Sequence, residues 1–225
     1  AKGLAEENVE FKITKSLVNK HTARCIILVS TDAERTMNTY LGVSQELTEE
    51  DVDLNIIEES SILYLEGYLW DLDNAKKAIK KSISTAINSE TKIAFSISDA
   101  FCVDRFREEF IDLVNNSADI IFANESEIKS LFETNELNDA IKRCQDTKKI
   151  FAVTLGDKGA KIIYKNEVID IKAEVINKLV DTTGAGDLFA AGFLAEYLKT
   201  QDLELSGQQG VKMASIIIQQ FGARI

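Results

Sequence analysis

Proline is missing from all 225 residues, although average usage is about 5%. The Ile-, Lys- and Asn-rich composition lowers that expectation without taking it to zero, and no physical reason for the absence is evident. Histidine is almost as scarce, with His21 alone. That excludes triad chemistry and multi-histidine metal sites, so acid–base work falls mainly to carboxylates. The three cysteines, Cys25, Cys102 and Cys144, are odd in number and widely spaced. They give neither a disulfide framework nor a zinc framework and read as reduced, mostly buried thiols of a cytoplasmic chain. No apolar run is long enough to span a membrane, and residues 1–7 carry no signal-peptide core. A basic excess is also lacking: 26 Lys and Arg stand against 37 Asp and Glu, for a net charge of −11. A general binder of nucleic acid or anionic membrane would reward the opposite sign. An anionic small molecule would need local recognition rather than long-range attraction.

The length is enough for one large domain, or one domain with a small appendage, around a substantial core. Hydrophobic residues at 45% and charged residues at 28% are ordinary for a globular protein. Arg24 to Ser30 and Thr36 to Leu41 read as strands around a polar turn. Ser61 to Glu66, Lys92 to Ile97, Asp119 to Ala123 and Ile150 to Leu155 are nearly all-apolar strands. Helical periodicity separates them at Asp73 to Asn88, Arg105 to Val114, Asn124 to Phe132 and Leu137 to Cys144. Ala160 to Tyr164 and Glu167 to Ile171 predict an antiparallel pair, and helices over 185–199 and 205–221 follow. Apolar strands alternating with helices predict a mostly parallel sheet covered on both faces. The strand-rich first forty-odd residues predict a small β flap.

Asp181-Thr182-Thr183-Gly184-Ala185-Gly186-Asp187 is the most informative stretch. It follows the short apolar run Lys178-Leu179-Val180, read as the end of a strand, and opens the apolar segment from Leu188 to Leu198. A Gly-rich turn there becomes the first turn of a helix. Its amides lack intrahelical partners and the helix dipole adds positive charge, so the spot suits a phosphate. The plain structural alternative is a helix start with an Asp N-cap and packing glycines. A P-loop is excluded because no Gly-x-x-x-x-Gly-Lys-Ser/Thr string occurs, and a dinucleotide fingerprint fails at Phe189.

The string DTTGAGDLFAAGFL resembles the C-terminal signature of the PfkB/ribokinase family of carbohydrate and nucleoside kinases. The resemblance implies a ribokinase-like α/β fold, a doubly wound, mostly parallel sheet with helices on both faces and a small β lid. It implies that the amides of Gly184, Ala185 and Gly186 form an anion hole for the transferring phosphoryl group, and that Asp187 is the catalytic base. A carboxylate near a helix N-terminus is favoured in its charged form and can still accept a proton late in transfer. Asn124-Glu125-Ser126-Glu127 fits the family's Asn-x-x-Glu element, which implies that Asn124 and Glu127 organise Mg²⁺ and its waters beside ATP. A capping box is the structural alternative. Thr154-Leu155-Gly156-Asp157-Lys158-Gly159 resembles the Thr-x-Gly-x-x-Gly turn of the nucleotide site, and a bare hairpin turn explains it equally. With these, Thr183 and Ala214 are assigned to the nucleotide side, although helix packing also accounts for the small residues near Ala214.

Residues 25–38 and 96–101 resemble the adenosine-kinase-like branch. That implies a lid over the acceptor and an arginine near the phosphates, here Arg35, which could equally be an exposed turn residue. The family begins with a βαβ segment that reads the acceptor, and Ala1 falls after it. The resemblance therefore covers the later two-thirds or so of a member, with residues 1–45 as partial lid and flanking strands and 46–225 as the nucleotide-binding body. The expected activity is transfer from ATP to a primary hydroxyl of a ribonucleoside. The alternatives are a sugar kinase, a silent nucleotide-binding module and, disfavoured by Phe189, a dinucleotide-binding oxidoreductase. A small-molecule acceptor and ATP are the implied partners, with no nucleic acid or membrane, for a monomer or homodimer.

Overall fold

The computed structural model describes residues 2–10 and 20–225. A six-stranded sheet runs in sequence order through β3 (Ile62–Glu66), β4 (Lys92–Ser96), β5 (Ile120–Asn124), β6 (Ile150–Thr154), β7 (Ala160–Tyr164) and β8 (Glu167–Ile171). The first four strands pair in parallel and the last two antiparallel. Each parallel connection needs a crossover, and helices supply it: α3 (Asp73–Asn88), α4 (Ala100–Asn116), then α5 (Glu125–Leu131) with α6 (Leu137–Thr147). The centre of β5 is buried on both faces, which is why it reads as an unbroken apolar run.

Two apolar layers sandwich this sheet. The crossover helices cover one face, where α3 contributes Ile79 and Ile83 and α4 contributes Phe110 and Leu113. The other face is covered by a C-terminal pair, α7 (Ala185–Thr200) and α8 (Leu203–Ile217), through Phe189, Phe193, Tyr197 and Val211. The mostly parallel sheet with helices on both faces is therefore as expected. Before it come α1 (Lys2–Glu6), the antiparallel hairpin β1 (Arg24–Val29) and β2 (Arg35–Tyr40), and α2 (Leu54–Glu59). The hairpin forms its own two-stranded sheet, the flap foreseen in the sequence. Residues 1 and 11–19 of the 1–45 segment lie outside the described residues.

Several details differ from the sequence reading. Residues 178–180 are not a strand; the amides of Val180 and Asp181 donate instead to the carbonyl of Ile218, at 2.8 and 3.3 Å. An apolar run too short to pair was misread as a strand end. Helix α4 starts five residues before Arg105, with Asp99 as N-cap accepting from the amide of Cys102 at 2.7 Å. A kink at Phe106 (φ −125°, ψ 22°) turns the first helical stretch off the later apolar stripe, which hid it from the periodicity. The last helix stops at Ile217. Cys102 and Cys144 are buried, but Cys25 is exposed on the hairpin.

Candidate active site

The amide-rich turn is built by Asp181, which is 3% exposed. Its carboxylate accepts from the Thr183 amide (2.9 Å), the Thr183 hydroxyl (2.6 Å) and the Gly222 amide (3.0 Å). The Thr183 hydroxyl bond, followed by the Gly222 and Thr183 amides, outweighs burial and holds this carboxyl below the usual aspartate range. Asp181 is not the N-cap; Gly184 takes that position with φ +80°, a left-handed conformation suited to glycine. A Cβ there would come within 2.9 Å of Ala223. The Ala185 amide donates to the Thr182 carbonyl (3.2 Å) and the Leu188 amide to the Gly184 carbonyl (2.9 Å). The amides of Gly186 and Asp187, between them, have no protein acceptor among the described residues. The space beside Gly186 is open, and the Asp187 side chain is exposed at the same edge. Donors without acceptors, a helix N-terminus and a carboxylate thus converge on one opening.

At the end of β5 the capping box is present. The Asn124 side-chain oxygen accepts from the Glu127 amide, and Glu127 accepts from the Asn124 amide at 2.9 Å and from its side-chain nitrogen at 2.6 Å. Glu127 is 7% exposed, and burial raises its carboxyl above the usual range, Asp99 adding to the rise and the Asn124 amide opposing it. Asn124 pairs in register with Thr154 at the end of β6, so these two motifs are neighbours. Next to them Gly156 opens a short 3₁₀ turn into empty space, whereas Gly159 is pressed against the Ile171 carbonyl. Among the described residues no group of three or more His, Cys, Asp or Glu side chains could hold a metal ion. A cation taking most of its ligands from phosphate oxygens and water still fits Glu127, whose oxygens keep further acceptor capacity.

Aromatic packing joins the two halves. Phe122, two residues before Asn124, meets Phe189, two residues after Asp187, edge to face at 6.3 Å. Tyr64 on β3 completes the row against Phe122. Its hydroxyl is pushed up to about 12 by burial, with the charges of Glu66 and Asp187 adding and a bond to Ser96 opposing. Glu66, at the carboxyl end of β3, is half-buried; burial and then the nearby Asp187 charge raise its carboxyl. The sequence reading missed Glu66, although a carboxylate closing an apolar strand before a glycine was a visible signal. It also gave no role to Thr182, whose hydroxyl receives Arg35 from the hairpin at 2.8 Å. Arg35 is thereby brought to the turn. Ala214 is half-buried and packs against the α7–α8 side of the core.

Solved structures closely match this fold. The adenosine kinase from Sinorhizobium meliloti is 40% identical with a TM-score of 0.95, covering 100% of this chain and 69% of that one. A protein from Rhizobium etli CFN 42, described as a "probable sugar kinase protein", is 42% identical with a TM-score of 0.95 over 99% of this chain and 68% of its own. An "uncharacterized sugar kinase" of Archaeoglobus fulgidus is 28% identical over 205 residues, 88% of this chain and 77% of that protein. The model for "pfkB family carbohydrate kinase" matches residues 1–225, and the chain belongs to that family of sugar and nucleoside kinases.

Proposed function

We propose that the protein transfers the terminal phosphoryl group of ATP to a primary hydroxyl of an adenosine-like ribonucleoside. The observation that carries this reading is the turn at Gly184, where acceptor-free amides of Gly186 and Asp187 adjoin the exposed Asp187 carboxylate. In the reaction the acceptor oxygen forms a bond to phosphorus while the bond from phosphorus to the ADP oxygen breaks. The hydroxyl proton passes to Asp187 as transfer nears completion. Gly184, Ala185 and Gly186 shape the cradle for the equatorial oxygens, with the free amides as its donors. Preset donors and in-line positioning supply more of the rate than proton removal does.

Asn124, Thr154, Gly156, Gly159, Thr183 and Ala214 are assigned to the nucleotide side, Arg35 to the phosphates, and Glu127 with Asn124 to Mg²⁺. The cation, when bound, neutralises phosphate charge. For Glu127 the chain's own task is to accept from a water held there. Residues 1–45 contribute a partial lid over the 46–225 body, a division supported by the separate sheet of the hairpin. A reducing, cytoplasmic setting is supported by the three free thiols. No helix among the described residues is long and apolar enough to cross a membrane.

The Rhizobium etli and Archaeoglobus fulgidus relatives favour a second reading, a sugar acceptor. ADP release measured with adenosine, inosine, guanosine, ribose and fructose separates the two. The nucleoside reading expects the highest kcat/KM with adenosine; preference for ribose or fructose would select the sugar kinase. ATP binding without ADP release for any acceptor would contradict both.

A further inference from the structure

The hydrogen bonds between the hairpin and the amide-rich turn converge on a single hydroxyl, while Arg35 also attracts the Asp181 carboxylate. Thr182 Oγ1 accepts from Arg35 Nη1 at 2.8 Å and donates to the Ala33 carbonyl at 3.4 Å. One hydroxyl can do both, having one proton and two lone pairs. Both hydrogen bonds seen between the hairpin and residues 180–187 fall on this side chain. The backbone carbonyl of Thr182 is occupied as well, since it takes the Ala185 amide and so closes the turn that leads into α7. We propose that Thr182 is a positioning residue, latching the hairpin tip to the anion-holding turn and so setting the Arg35 guanidinium beside the transferred phosphoryl group. This rests on the kinase reading above for its effect on turnover, and on geometry alone for the latch.

The hairpin tip is built to be held. Its five-residue connection is closed by the Ala33 amide on the Ser30 carbonyl (3.0 Å) and the Ser30 amide on the Glu34 carbonyl (2.9 Å). The Ser30 hydroxyl and the Glu34 amide both bind the Asp32 carboxylate, at 2.6 and 3.2 Å. Ala33 sits in the left-handed region at φ +65°, where glycine is the usual residue of such turns, and it is 3% exposed. Ala33, strained and buried in an otherwise exposed tip and with its carbonyl aimed at Thr182, is held there by its surroundings. The rest of the hairpin is open, with Ile26, Leu28, Met37 and Tyr40 exposed. The tip is therefore where the hairpin is fastened, and Thr182 is the fastener.

Thr182→Val removes the hydroxyl at nearly constant shape, and Thr182→Ser keeps it. Hydrogen–deuterium exchange over residues 24–40 and steady-state kinetics on both variants, on Arg35→Gln and on the Thr182→Val/Arg35→Gln double variant form the test. With Thr182→Val, exchange at the amides of Ser30, Ala33 and Glu34 should rise about tenfold, and kcat/KM for ATP should fall about tenfold, the acceptor KM moving less. Thr182→Ser should restore both, and the double variant should be no worse than Arg35→Gln alone. Wild-type exchange in Thr182→Val overturns the latch, whatever the protein phosphorylates. Raised exchange with unchanged kinetics, or strictly additive losses, overturns its link to turnover. If the wild-type protein phosphorylates no acceptor, the kinase reading fails and the exchange result still decides the latch.

Discussion

Glu127 has an observed role as a cap and a proposed one toward Mg²⁺, and a charge-removing variant can pull them apart. As a cap it binds both nitrogens of Asn124; as a carboxylate it is buried, and burial raises its protonation range. A group whose folded value is raised binds its proton more readily in the folded state. Its favourable share is complete below the unfolded value near 4.5 and is lost as pH rises through the raised folded value. Glu127→Gln keeps one acceptor for the cap and removes the buried charge. At neutral pH its stability should lie within about 1 kcal/mol of wild type, improving relative to wild type as pH rises from 4.5 to 7. Thermal melts across that range check it. Turnover, in contrast, should fall about 10- to 100-fold and need more Mg²⁺. Normal Mg²⁺ dependence would leave Glu127 a cap and nothing more. Asp187, Gly184 and Asn124 were proposed from the sequence because each belongs to a local string with its own chemistry. Thr182 was not, because its partner Arg35 lies 147 residues away. Asp181 was visible in the same string without a role: only the structure shows that its carboxylate ties the turn to Gly222 and that Gly184 caps α7.

At the scale of elements, strands were the easiest to read. Runs such as IIFA at 120–123 and IFAV at 150–153 are apolar throughout because their strands are covered on both faces, and the sheet confirms them. Helix starts were harder where geometry changes inside the element, as at Phe106. The turn between β6 and β7 gives a sharp contrast between two glycines. Gly156 has φ +61° with nothing within 4 Å, so an alanine meets only backbone strain. At Gly159, φ +91°, a Cβ would also lie 2.1 Å from the Ile171 carbonyl oxygen and 2.6 Å from the Ala173 amide nitrogen. Gly156→Ala should cost about 1 kcal/mol, and Gly159→Ala at least about 3 kcal/mol because backbone must shift. Urea titrations followed by the fluorescence of the single tryptophan, Trp70, would rank them. Equal costs would mean that the β7–β8 pair does not press on the turn as described.

For the whole molecule, the sheet order and the two covering layers place the motifs at Asn124, Thr154 and Gly184 at the same rim. Carboxyl ends of β3, β5 and β6 bring Glu66, Asn124 and Thr154 to one edge, and the Phe122–Phe189 contact sets the α7 N-terminus beside them. Sequence periodicity predicted the layers but could not show which loops are adjacent, since that follows from strand order. Phosphoryl transfer at this rim with Asp187 as base is the proposal on which the other roles depend. Acceptor-dependent ADP release and ATP binding by calorimetry, measured together on Asp187→Asn, test it most directly. The expected result is kcat lower by about 10²- to 10⁴-fold with ATP affinity retained. Near-normal turnover by Asp187→Asn would contradict the account.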